Sequence, residues 1–177
     1  MHPTQEKLIA RARDFFAEVK NLTPGKELEE RLNKSWGPGT PIYEDLCAYI
    51  REGFEQNQGW VATDELDGAR YRRSIICKPC PENLYYSITT VYMESDEVFA
   101  GQYHQHPYGE INCVVQLDQT AELKGMNGWQ GAGWTSPGPG THHYPEVRGG
   151  RLVALFFLPA GRISYEATPD MPQPIAI

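Results

Sequence analysis

The sequence predicts a mainly β fold, a small barrel or sandwich preceded by an N-terminal helical segment. Three observations carry this. Helical hydrophobic spacing is confined to the first third of the 177-residue chain. After about residue 58, short apolar and β-branched runs follow one another with no ten-residue helical pattern between them, which argues against parallel βαβ units. The 17 glycines and 14 prolines are more numerous in the second half, as turns between short strands require. The expected division is residues 1–58 as a helical segment packed on the barrel, and 59–177 as the barrel domain with a C-terminal strap.

The helices come first. "TQEKLIARARDFFAEVKN" places Leu8, Ala12, Phe15, Phe16 and Val19 on one face, with Thr4 as N-cap. "TPGKELEERLNKSWG" offers Thr23 as cap and Pro24 at the first helical position, and stops at Gly37. "TPIYEDLCAYIREGFEQN" repeats the device with Thr40 and Pro41, and its stripe is Tyr43, Leu46, Ile50 and Phe54. The strands follow. "ARYRRSIICKP", "NLYYSITTVYME", "EVFAGQYHQH", "EINCVVQLD", "AELKGM", "GAGWTSP", "YPEVRGG" and "RLVALFFLP" are rich in aromatic and β-branched residues. The last holds the longest apolar run, with the length of a buried strand. The Pro-rich end, "TPDMPQPIAI", reads as an extended strap.

Composition narrows the function. Net charge is −7 and the pI is near 5.2, which argues against a nucleic-acid partner. No stretch approaches 18 apolar residues and no leader is visible, so the expectation is no membrane span and a cytoplasmic location. Cys77 and Cys80 form a single C-x-x-C. With no second pair to complete a zinc set, they read as thiols in a reducing compartment.

Four of the five histidines lie between residues 104 and 143. In "YHQHPYGE", alternation points His104 and His106 to one side of a strand, where two imidazoles can grip one ion. Glu110 shares their parity, and a bend at Pro107 and Gly109 would swing it back toward the same point. In "SPGPGTHHYPE", His142 and His143 are adjacent and face opposite ways, so one of them joins easily. Tyr103, Tyr108, Tyr144 and Trp134 lie near these motifs and suit a flat aromatic ligand. Alternation sends Arg72 and Arg73 to opposite faces. The one facing the barrel interior would be a bidentate carboxylate anchor.

The two histidine segments resemble the cupin superfamily, whose motifs are H-x-H-x(3,4)-E and a later G-x-x-H on facing strands of a small jelly-roll barrel. "HQHPYGE" supplies His104, His106 and Glu110. "GTHH" supplies His143, counted from Gly140, with His142 left as the alternative. Departures fall on turns: Gly101 stands three rather than five positions ahead of His104, Leu117 replaces the usual later Gly, and Gly138 displaces a Pro. The resemblance implies a cupin-type barrel holding a divalent transition metal on His104, His106, Glu110 and His143. Imidazole and carboxylate suit Fe, Mn, Ni, Cu or Zn. It also implies a homodimer.

The N-terminal helices, "RYRRS", "YHQHPYGEIN" and "SPGPGTHHYPEV" together resemble the 4-hydroxylaminobenzoate lyase family of bacterial nitroaromatic degradation. That resemblance implies conversion of 4-hydroxylaminobenzoate to 3,4-dihydroxybenzoate and ammonia. Under it, Arg72 or Arg73 holds the carboxylate, Tyr103 and Tyr108 wall the ring, and Glu110 or His142 moves protons. The competing readings are a cupin dioxygenase of a small aromatic or thiol substrate, a cupin sugar or keto-acid isomerase, and a non-catalytic cupin that binds a small ligand.

Overall fold

The computed structural model describes residues 1–174. Three helices, α1 (Pro3–Val19), α2 (Lys26–Ser35) and α3 (Pro41–Glu55), precede all the strands. The strands are β1 (Asp64–Glu65), β2 (Tyr71–Cys77), β3 (Tyr86–Ser95), β4 (Phe99–Ala100), β5 (His104–Gln105), β6 (Ile111–Gln116), β7 (Glu122–Gly125), β8 (Gly128–Gln130), β9 (Gly133–Thr135), β10 (His142–His143), β11 (Glu146–Arg148) and β12 (Gly150–Pro159). A six-stranded antiparallel sheet runs in the order β1-β2-β3-β12-β6-β9. A four-stranded sheet, β4-β11-β7-β8, and the short pair β10-β5 form the rest of the barrel. The expected fold class, mainly β with an N-terminal helical segment, is the observed one.

Strand β12 explains how the layers meet. Its register with β3 and β6 is unbroken from Leu152 to Phe157. Leu152, Ala154, Phe156 and Leu158 point into the barrel, where they join Met93, Val114, Leu123 and Val147. Val153, Leu155 and Phe157 point the other way, onto the helices. Both faces are dry, so the strand carries no polar alternation, which is why it reads as one apolar run. Helices α1 and α3 are amphipathic and cover that outer face with Leu8, Phe15, Phe16, Leu46 and Ile50. Phe157 is fully buried against Phe15 and Phe16; truncating it to Ala would cost about 3–5 kcal/mol.

Local signals hold to different degrees. Helix α3 starts as expected, with Thr40 at the cap and Pro41 next. Helix α1 starts earlier, with His2 as N-cap; its ring nitrogen accepts from the Thr4 N–H at 3.1 Å. Helix α2 starts at Lys26 with Gly25 before it, so Pro24 lies in the preceding loop. There it packs against Gly109, where an added Cβ would sit 2.5 Å from the Pro24 Cβ. "EVFAGQYHQH" is broken into β4 and β5 around residues 101–103. Strand β8 has no strong local signal. After β12 the chain crosses back over the barrel mouth: Ser164 bridges to Gln105 and Gln173 bonds to His142. Residues 175–177 of the expected strap lie outside the described residues.

Candidate functional site

The site is assembled by the pairing of two very short strands. In β5–β10, His143 stands opposite His104 and His142 opposite Gln105. Directly opposed residues share a face, so His104 and His143 look inward together and His142 looks away. Alternation returns His106 to the same side. The three ring centroids are 4.7, 5.0 and 5.0 Å apart. One ligand atom from each ring falls within 4.8 Å of the other two. Glu110 arrives through a turn. Gly109 has φ +81°, a region that costs glycine little, and the Glu110 N–H donates to Pro137 O at 3.0 Å. This brings Glu110 Oε2 to 3.6 Å from His106 Nε2.

Hydrogen bonds fix which nitrogen is free in two of the rings. His104 Nδ1 faces the carbonyl of Gln102 at 2.9 Å, and His106 Nδ1 faces that of Thr141 at 2.9 Å. A carbonyl only accepts, so both Nδ1 atoms carry the proton. Both Nε2 atoms then present lone pairs, and they stand 2.9 Å apart. Two lone pairs at that distance repel unless a cation lies against both. Two imidazoles bound side by side to one ion at about 2.0–2.1 Å sit about this far apart. Burial disfavours any charge on these rings. It lowers the pKa of His104 and His106, and takes His143 to about 3. Burial likewise pushes Glu110 up to about 8. Neutral imidazoles with Nδ1 anchored to carbonyls are the usual form of metal-binding histidines, so the His104, His106 and His143 cluster can hold a metal.

These groups open on a cavity lined by His104, His143 and Glu110. Tyr71, Met93, Ala154 and Phe156 supply its apolar wall. Its other polar groups include Arg73, Asn112, Thr135 and Tyr165. Arg73 Nη1 donates to the Tyr165 hydroxyl at 2.8 Å.

Several residues singled out in the sequence lie elsewhere. Arg72 is on the helix side of β2, its guanidinium over Tyr92 and Phe54 at 4.6 and 5.2 Å from the ring centres. Alternation along β2 gives the inward position to Arg73. Tyr103 faces away from the cluster; its hydroxyl bonds to His142 Nδ1 and its ring packs on Tyr144. His142 is buried in that pair, with Nε2 3.2 Å from Pro172 O. Tyr108 is 51% exposed. Trp134 stacks on Phe15 on the helix side. The structure therefore does not bring Arg72, Tyr103, Tyr108 or His142 to the cavity. Asn112, Thr135 and Tyr165 had not been singled out. Asn112 carried a signal, a polar residue with the parity of Glu110 inside an apolar strand. Tyr165, in an irregular segment, carried none.

A family model described as 4-hydroxylaminobenzoate lyase (PnbB) matches residues 10–165. A 4-hydroxylaminobenzoate lyase of Nocardioides sp. (strain LMS-CY) is 54% identical over 94% of this chain and 97% of its own length. One from Pseudomonas putida is 48% identical over 92% of this chain and 96% of its own. Among solved structures, an RmlC-like cupin protein from Ralstonia eutropha JMP134 aligns with 18% identity over 63% of this chain and 69% of that one, TM-score 0.46. The DMSP lyase DddQ from Ruegeria pomeroyi DSS-3 aligns with 16% identity over 95% and 100%, TM-score 0.44. On the family match and the two close relatives, the chain belongs to the 4-hydroxylaminobenzoate lyase family.

Proposed function

We propose that this chain is a metal-dependent lyase that takes 4-hydroxylaminobenzoate and water to 3,4-dihydroxybenzoate and ammonia. The observation that carries the reading is that Arg73 lines the same, otherwise largely apolar cavity as His104, His143 and Glu110. A para-substituted benzoate is a flat apolar ring with an anion at one end and a reactive nitrogen at the other. The cavity has that polarity. Arg73 is on β2 and Glu110 leads into β6, and β3 and β12 lie between them. Three strand spacings amount to about 14 Å of backbone, which the Arg73 side chain and a benzoate can bridge.

The roles follow from placement. The Arg73 guanidinium, steadied by the Tyr165 hydroxyl, anchors the carboxylate. Tyr71 and Phe156 flank the ring and exclude water. His104, His106, His143 and Glu110 would hold a divalent transition metal, and Fe, Mn, Ni, Cu and Zn all accept this donor set. When bound, such an ion supplies Lewis-acid polarisation. Glu110 is the carboxyl group placed to pass a proton at the nitrogen end. Overall, the N–O and C–N bonds break and C–O bonds form at ring positions 3 and 4; net uptake of one water supplies the second oxygen, and nitrogen leaves as ammonia, with no external oxidant. The four free cysteines support a reducing, cytoplasmic setting, and among the described residues no helix is long and apolar enough to cross a membrane.

The test is incubation of metal-loaded protein with 4-hydroxylaminobenzoate under nitrogen. Ammonia and 3,4-dihydroxybenzoate in equal amounts, lost on chelation, are the expected result. Product formed in air alone would make the protein an oxygenase and overturn the reading.

A further inference from the structure

We propose that Asn112 reads the nitrogen end of the substrate, its amide oxygen accepting a hydrogen bond from the N–H of an aromatic amine or hydroxylamine in the barrel cavity. The inference rests on the lyase reading of that cavity and adds a specificity-determining residue to it.

Asn112 sits in β6 two positions after Glu110, with the same parity, and lines the cavity beside it. It is 3% exposed in a strand otherwise made of apolar residues and Gln116. A buried amide in such a strand requires partners. One half has its partner: Asn112 and Thr135 are paired in the β6–β9 register, and Nδ2 donates to Thr135 Oγ1 at 3.1 Å. The other half does not. Oδ1 is buried without a hydrogen-bond partner among the described residues. Arg72 Nε and Ser87 Oγ share that condition, but neither lines the cavity that holds His104, His143 and Glu110.

The missing partner must be a donor, because an amide oxygen only accepts. A carboxylate there would set acceptor against acceptor, and it has its own anchor in Arg73. The donors of an arylhydroxylamine are on nitrogen and on its hydroxyl. The Thr135 contact aims Oδ1 by holding the opposite edge of the amide. The substrate would therefore enter in one orientation, carboxylate toward β2 and nitrogen toward β6. Asn112 is thus a positioning contact beside Glu110.

The test compares two unreactive acids on the metal-loaded protein, benzoate and 4-aminobenzoate, by calorimetry. The wild type should bind 4-aminobenzoate about tenfold more tightly. Asn112→Leu keeps the side-chain size and removes the acceptor. It should bind the two acids equally, with benzoate affinity and metal content unchanged, while kcat/KM for 4-hydroxylaminobenzoate falls about tenfold or more. Asn112→Val, which matches its apolar neighbours in β6 and also lacks the acceptor, should lose the preference in the same way, which keeps the test decisive if the Leu variant folds poorly. A preference that survives in Asn112→Leu, or a wild type that favours 4-nitrobenzoate over 4-aminobenzoate, overturns the inference alone. Failure of the wild type to bind any of these acids overturns the reading of the cavity together with it.

Discussion

The side-chain amide of Asn33 pairs with both backbone groups of Trp134: Nδ2 donates to the carbonyl at 2.9 Å and Oδ1 accepts the N–H at 2.8 Å. Trp134 lies in β9, the edge of the six-stranded sheet. Helix α2 thus supplies one residue's worth of an extra strand, and the edge is closed. One turn earlier, Glu29 Oε1 accepts the Ser136 N–H at 3.0 Å. These contacts hold the segment that runs on through Pro137 to His143. Asn33→Ala would leave two buried backbone groups unpaired. The expected loss is about 2 kcal/mol, a fall in Tm of roughly 4–8 °C by thermal denaturation.

The β5–β10 register separates two neighbouring histidines by experiment. His143→Ala removes an inward imidazole, and bound metal per chain should fall close to zero. The rise in Tm that metal gives the wild type should vanish with it. His142→Ala removes contacts with Tyr103 and the C-terminal strap and should keep its metal. Elemental analysis of the two purified variants checks both outcomes.

Arg73 and Arg72 form a second such pair. Arg73→Met should weaken binding of benzoate by roughly 10- to 100-fold and abolish discrimination between benzoate and benzamide. Arg72→Met keeps the apolar contact with Tyr92 and Phe54 and should bind both ligands as the wild type does. Inhibition constants for the two compounds are the measurement.

Acid stability should depend on Asp118. Its carboxylate accepts from the Arg151 backbone N–H at 2.8 Å and from Nε and Nη2 at 3.1 and 3.0 Å, and these bonds hold its pKa below the usual carboxylate value. A lowered pKa stabilises the fold above the unfolded value, and that stabilisation is lost as pH falls through the folded one. Asp118→Asn should therefore melt lower than wild type at pH 7. The gap should close in acid, below the ordinary range of aspartate. Because the pair is more than one-third exposed, the effect at pH 7 should be a few degrees at most.

Some of this architecture is legible in the sequence because its determinants are local. Thr40-Pro41 announces α3, and the run from Leu152 to Leu158 announces a central strand. His104 and His106 share a face by alternation alone. Other features depend on register, which no short stretch contains. Which of His142 and His143 turns inward follows from their pairing with Gln105 and His104. Which of Arg72 and Arg73 turns inward follows from the face the helices cover. Tyr103 and Tyr108 lie beside ligand positions in the chain, yet Tyr103 turns to His142 and Tyr144 and Tyr108 is exposed. Tyr165 reaches Arg73 across 92 positions, a relationship that only the closed barrel creates.

Strand β12 has one more consequence, for the order in which the chain is made. Among the described residues it is the last strand in chain order, yet it lies between β3 and β6 in the sheet. Helices α1 and α3 can form early from their own local signals, but the surface they cover includes Val153, Leu155 and Phe157. During synthesis, therefore, the helices wait without their seat, and β3 and β6 wait with open edges. Pairings this distant in sequence are slow to close, and exposed apolar faces invite association in the interval. Until β12 emerges, β3 and β6 each keep one unpaired edge and the helices keep part of their apolar face uncovered.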